Sequence, residues 1–309
     1  MGKSKSGGGG GGGGGGVPTV TLEQFADSLT GASSSSSSSS ATVTVSRWDR
    51  DDRVFLLRFP SAAAQRDAMG RASVFLEDLD DRGVVVDRIP SGQRGGVANY
   101  SGHNMRARDL ARFLNRVDAT PGAAPTSAEI ALRDALARVG VLRTDKSGRW
   151  VASGPGTTGH DGDGDGGPVV AAVAGSSNRD EVRDALLHEA MHMVFYTDAS
   201  WRDACYAHWD DEVAEEDKAR WVAFLKGLRY DGDDRELCVN ELQAYMCTER
   251  LLFGGGEKGG GRGKRDGKEK DDGGDARALG AMQAKFAAFA AARLSNPPSV
   301  GAHTKCVWL

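Results

Sequence analysis

The sequence predicts an α+β fold: a small mixed sheet, one central helix with two histidines a turn apart, and a helical C-terminal lobe. Two observations predict it. Strand-like runs lie before residue 178, interleaved with helical stripes, while the apolar periodicity after residue 178 is helical. The chain of 309 residues is 39% hydrophobic, enough for a sizeable core.

In order, VTLEQFADSL reads as a short helix between low-complexity tracts. ATVTVSRW (41–48) alternates as a strand and RVFLLRFP (53–60) as a second, with Phe55, Leu57 and Phe59 on one face. SAAAQRDAMGRASVFLEDL (61–79) follows as a helix, and GVVVDRIP (83–90) as a third strand, its valines buried. Tyr100, Ser101, Gly102 and His103 form a polar lead-in to a helix that starts at Met105 with Asn104 as its cap. His103 is a candidate for substrate contact, because loop polar residues beside a cleft carry much of function. Thr126 and Glu129 make a capping box for a helix over 126–139. RWVAS reads as a strand, and the aspartates Asp161, Asp163 and Asp165 belong to a loop. The calcium-loop spacing would need a glutamate at 172, where Ala172 stands. PVVAAVAG (168–175) reads as an edge strand, open to pairing with an extended ligand.

The stretch NRDEVRDALLHEAMHMVFY (178–196) is the centre of the prediction. Asn178 and Glu181 suit a helix N-terminus, and Val182, Leu186, Ala190 and Met193 give it an apolar flank. His188 and His192 are one turn apart, so both imidazoles can serve one metal ion. Glu189 between them is placed to act on water as a general base. Zinc needs a third protein ligand and keeps the fourth position open. Glu241, on the helical stretch ELCVNELQAYMCTERLLFG, is the first candidate; Asp198 and His208 are the alternatives.

HEAMH followed downstream by NELQAY resembles the gluzincin branch of zinc metallopeptidases, over 178–252 only. The resemblance implies a zincin-like fold, Zn2+ held by His188, His192 and Glu241, Glu189 as base, and a peptide or protein substrate. Tyr245, one turn after Glu241, is a candidate for stabilising the oxyanion, with Tyr196 and His103 as further candidates near the substrate; Asn240 could orient a ligand histidine. Hydrolysis of another amide, or a binding domain that has kept the fold, are the alternatives to peptide cleavage.

Between the two ligand stretches, DDEVAEEDKARWVAFLKGLRY is helical, and DARALGAMQAKFAAFAAARL forms a last amphipathic helix. By organisation, 1–40 is a low-complexity tail, 41–148 an α/β lobe, 149–253 the metal-binding lobe, 254–275 a glycine-rich charged linker, and 276–309 a helix and tail packed on that lobe. A net charge of −4 with no basic stripe argues against nucleic acid. The four cysteines form no CxxC pair, which fits free thiols in the cytoplasm. MGKSKS fits an acylation motif with Gly2 as acceptor, a weak peripheral membrane contact at most.

Overall fold

A computed structural model describes residues 16–30, 43–89, 96–157, 166–250 and 272–309. Gly2, the aspartates at 161, 163 and 165, and most of the 254–275 linker lie outside these residues. The architecture is a mixed α+β fold. Strands β1 (Thr19–Val20), β2 (Thr44–Trp48), β3 (Val54–Arg58), β4 (Gly102–Arg106) and β7 (Val169–Val173) form one sheet in the order β1-β2-β3-β7-β4. β7 runs parallel to β3 and antiparallel to β4. Strands from either side of residue 149 therefore share one sheet.

Alternation along the two central strands creates two cores. Val54 and Leu56 of β3, with Val169, Ala171 and Val173 of β7, pack into one cluster; Phe55, Leu57, Val170 and Ala172 pack into the other. The second core is closed by helices α2 (Ala62–Glu77), α3 (Ala107–Ala119) and α4 (Ser127–Arg138), which supply Met69, Phe113 and Leu136. The first is closed by α1 (Leu22–Thr30), α5 (Arg179–Thr197), α6 (Ala199–Ala207), α7 (Glu215–Gly227), α8 (Arg235–Thr248) and α9 (Asp272–Arg293). The two-residue-to-three-residue hairpins β5 (Leu142–Thr144) with β6 (Trp150–Ala152), and β8 (Ser299–Val300) with β9 (Thr304–Lys305), lie apart from the main sheet.

Caps set several helix starts. Ser61 accepts from the Ala64 amide, Thr126 and Glu129 form the reciprocal box, Asn178 accepts from the Asp180 and Glu181 amides, and Asp234 accepts from those of Glu236 and Leu237.

Three local expectations fail. PVVAAVAG is interior, paired on both sides, because its unbroken apolar run suits burial on both faces. The strand expected over 83–90 does not form within the described residues: Val84 is 51% exposed. There Gly83, at φ +77°, turns the chain back so that its amide closes on the Phe75 carbonyl at the end of α2. Gly102–Arg106 pairs as a strand instead of opening a helix at Met105, so α3 starts at Ala107 and Asn104 caps nothing. β4 is thus the sheet edge nearest α5, and no described strand lies beyond it. The four cysteines are free and buried, and no described helix is long and apolar enough to cross a membrane.

Candidate metal centre

The centre is built where α5 crosses α8 beneath the edge strand β4. His188 and His192 project from adjacent turns of α5, and their Nε2 atoms lie 3.1 Å apart. Glu241 of α8 meets them, with one carboxylate oxygen 3.8 Å from His188 Nε2 and the other 3.8 Å from His192 Nε2. A tetrahedral ion with bonds of about 2.0–2.2 Å separates its ligand atoms by roughly 3.3–3.6 Å, and one ligand atom from each of the three side chains lies within 4.8 Å of the other two, so small side-chain adjustments would bring all three onto one ion. Among the described residues this is the one group of three or more side chains arranged for a metal. Glu241 Oε2 is buried without a hydrogen-bond partner, a vacancy of the kind a cation fills.

The protons are arranged to suit. Trp201 Nε1 is a donor only, and it lies 3.2 Å from Gln243, which fixes the Gln243 oxygen on that side. The Gln243 amide nitrogen then donates to Asn240 Oδ1 at 3.2 Å. That oxygen also takes the Nδ1 proton of His192 at 2.9 Å, leaving His192 Nε2 with its lone pair toward the metal position. Thr248 treats His188 in the same way: its hydroxyl donates to the Ala244 carbonyl, so its oxygen can accept from His188 Nδ1 at 3.4 Å. Burial pushes both histidines down to about 4, with Glu241 partly opposing it at His192 and Glu249 at His188; both imidazoles are neutral at neutral pH, the form that can ligate a metal. Burial also raises the Glu241 carboxyl, while His192 and a hydrogen bond from Tyr230 pull it back.

Glu189 faces the opposite wall. Burial lifts its carboxyl to about 8, against the hydrogen bond from Asn104 Nδ2 at 2.7 Å and with Glu241's charge assisting. Gly102 and Asn104 are two apart on β4 and share the face that meets Glu189. Asn104 meets it with an amide, and Gly102 with empty space: a Cβ there would stand 2.0 Å from Glu189 Oε1.

His188, Glu189, His192, Glu241, Tyr245 and His103 all line one cavity of about 130 Å³. Tyr245 packs edge-on against His188, ring centres 4.7 Å apart. The His103 ring turns to the other face of β4, where Nδ1 lies 3.0 Å from Gln65 Nε2. Tyr196 lies outside this cavity, under Arg106 at 5.0 Å, in the neighbouring one. The rival ligands are elsewhere: Asp198 caps α6 through the Trp201 amide, and His208 pairs with Glu212 and stacks on Phe289.

Gly102, Asn104, Thr248, Tyr230 and Glu77 also belong to this neighbourhood and were not read as such from the sequence. Only Asn104 carried a signal there, a polar residue beside an apolar stripe, and it pointed to a helix cap. No family model matches the chain, and no curated protein or solved structure does either.

Proposed function

We propose that the chain is a zincin-like, gluzincin-type metallopeptidase that hydrolyses peptide bonds with zinc held by His188, His192 and Glu241. The observation that carries this reading is the convergence of three neutral or unpaired ligand atoms beside a carboxylate, Glu189, that is buried but not a member of the triad. Zinc, when bound, would polarise the scissile carbonyl and acidify a water at the site.

The chain's own part follows from its placement. Glu189 takes a proton from the attacking water and passes it to the leaving amine: burial raises its proton affinity, and a cation bound beside it would keep it ionised to accept. Asn104 holds the carboxylate in place by its amide. The Ser101 carbonyl accepts from the Ala174 amide and the Ala107 amide donates to the Pro168 carbonyl, the two residues that flank β7. By ladder alternation, the main-chain groups of Gly102, Asn104 and Arg106 then face outward, where an extended peptide can add as a further strand. Tyr245 is the candidate donor to the carbonyl oxygen as charge develops on it.

The test is metal content of the purified chain by inductively coupled plasma mass spectrometry, with hydrolysis of a mixed peptide library. About one zinc per chain is expected, lost in His188→Ala and Glu241→Ala, and kept in Glu189→Gln with hydrolysis abolished. Zinc without hydrolysis in the wild type would move the reading to a binding domain or to another amide. No zinc in folded, zinc-supplied protein would overturn it.

A further inference from the structure

The walls around the metal position are unbalanced in charge. Among the described residues four glutamates line the cavity, Glu77, Glu189, Glu241 and Glu249, and no lysine or arginine does. A divalent ion would offset two negative charges, those of Glu189 and Glu241. Glu249 stands at the rim with Oε1 3.9 Å from His188 Nδ1. Glu77 has no ion-pair partner among the described residues, the Arg82 charge bearing on it only from beyond ion-pair distance.

Glu77 closes the C-terminal end of α2, and its carbonyl is bound by the Asp231 amide at 2.8 Å, which holds the residue in place. It lines both the metal cavity and the neighbouring one, and Asn104 of the edge strand lines both as well. The two cavities therefore follow one another along β4, with Glu77 at the waist between them. The other acids of the second cavity are engaged by guanidinium groups: Asp109 and Glu236 by Arg106, and Asp234 by Arg82. No described residue gives the Glu77 carboxylate an ion pair or hydrogen bond. Burial raises its proton affinity well above the ordinary carboxylate range; Glu241, Glu189 and Asp109 add to the effect, and Arg82 opposes it without offsetting it. A cation brought beside it would hold it ionised, so this position rewards a positively charged visitor over a neutral one.

Resting on the hydrolase reading above, we infer that Glu77 is the specificity determinant of this site and selects substrates that place a cationic group, an ammonium or a guanidinium, next to the bond to be cleaved. A peptide laid along the outer edge of β4 would carry its reacting carbonyl past Glu189 and a neighbouring side chain or terminal amine past Glu77. A charge-assisted hydrogen bond there corresponds to a preference of about 10- to 100-fold over a neutral isostere.

The experiment uses the full chain and a set of quenched fluorescent peptides that differ at one position at a time, bearing lysine, arginine, norleucine or glutamate, each with a free and an acetylated N-terminus. Two readouts are taken: kcat/KM on the zinc-loaded wild type, and affinity by calorimetry on the Glu189→Gln protein. Lysine and arginine peptides are expected to exceed norleucine by about tenfold or more in both. A preference for lysine and arginine over norleucine assigns the cation to a side chain, and a preference for free over acetylated peptides whatever the varied residue assigns it to the terminal amine. In Glu77→Gln the difference should shrink to within about threefold, and in Glu77→Lys glutamate peptides should become the better ligands. A wild type that cleaves all four alike, with free and acetylated termini equal, overturns the inference and leaves the hydrolase reading standing. So does a preference unchanged in Glu77→Gln. If zinc or cleavage fails while calorimetry still shows lysine binding that depends on Glu77, the hydrolase reading falls and the cation site stands. Absence of any peptide affinity overturns the site.

Discussion

At the scale of single residues, the position of the base depends on a side chain that is missing. Gly102 leaves the volume into which Glu189 Oε1 projects, and a methyl group there would overlap it at 2.0 Å. Gly102→Ala should therefore displace the carboxylate, lowering kcat/KM by about 100-fold or more while zinc stays bound, because a misplaced catalytic group costs about that much. Equal loss of zinc would mean that the whole α5 crossing has shifted; the closest clashes are all with the Glu189 side chain, so zinc is expected to stay. The relay from Trp201 through Gln243 to Asn240 makes a second, independent claim. Its work is to keep the His192 proton on Nδ1. Asn240→Leu should weaken zinc binding by about 10- to 100-fold, read by competition with a fluorescent chelator. Gln243→Leu should do so less, since it acts one bond further away and Asn240 keeps its contact with the ring.

At the scale of elements, the features that were legible are those whose signal is local. The capped helices α2, α4, α5 and α8, and the strands β2 and β3, follow from periods and caps written in neighbouring residues. His188, Glu189 and His192 were legible for the same reason, since one helix turn fixes their relation. Glu241 needed the resemblance, and β4 was missed outright. GHNMR has no alternation of its own, and it is a strand because β7 offers it a ladder from Val169 to Val173. Asn104 and Gly102 were invisible with it, as their roles exist only once that ladder brings them to Glu189. The capping box of α4 is likewise local in sequence and tertiary in consequence. Glu129 closes the box and lies 3.5 Å from the Arg71 guanidinium of α2, both side chains buried. Glu129→Ala should cost about 3–5 kcal/mol in urea unfolding, because it leaves the buried Arg71 charge with the Ala124 carbonyl but no carboxylate, and opens the cap as well. Glu129→Gln, which preserves the box geometry, should cost less. A loss under about 1 kcal/mol for the alanine variant would mean that Arg71 finds another acceptor.

At the scale of the molecule, the metal position joins α5, which packs on β7 and β4, to α8, which packs against the C-terminal helix α9. A ligand that binds only the folded chain stabilises it by mass action, about 2.7 kcal/mol at a hundredfold excess over its dissociation constant. Stripping zinc with a chelator should thus lower the melting temperature by several degrees, and restoring zinc should reverse the shift. Acid should act on the zinc-free fold through a different group as well. His103 is buried against Gln65, and burial depresses it from 6.5 to about 4. Between those two values the unfolded chain binds a proton that the fold excludes, so stability rises with pH across that window. This contribution is full above about 6.5 and lost as pH falls toward 4, on the order of 3 kcal/mol for the one imidazole. His103→Gln cannot be charged, so urea midpoints of the zinc-free protein measured from pH 7 down to pH 4 should fall less steeply in this variant than in the wild type. Parallel curves would show that the His103 ring is open to water and accepts its proton in the folded state.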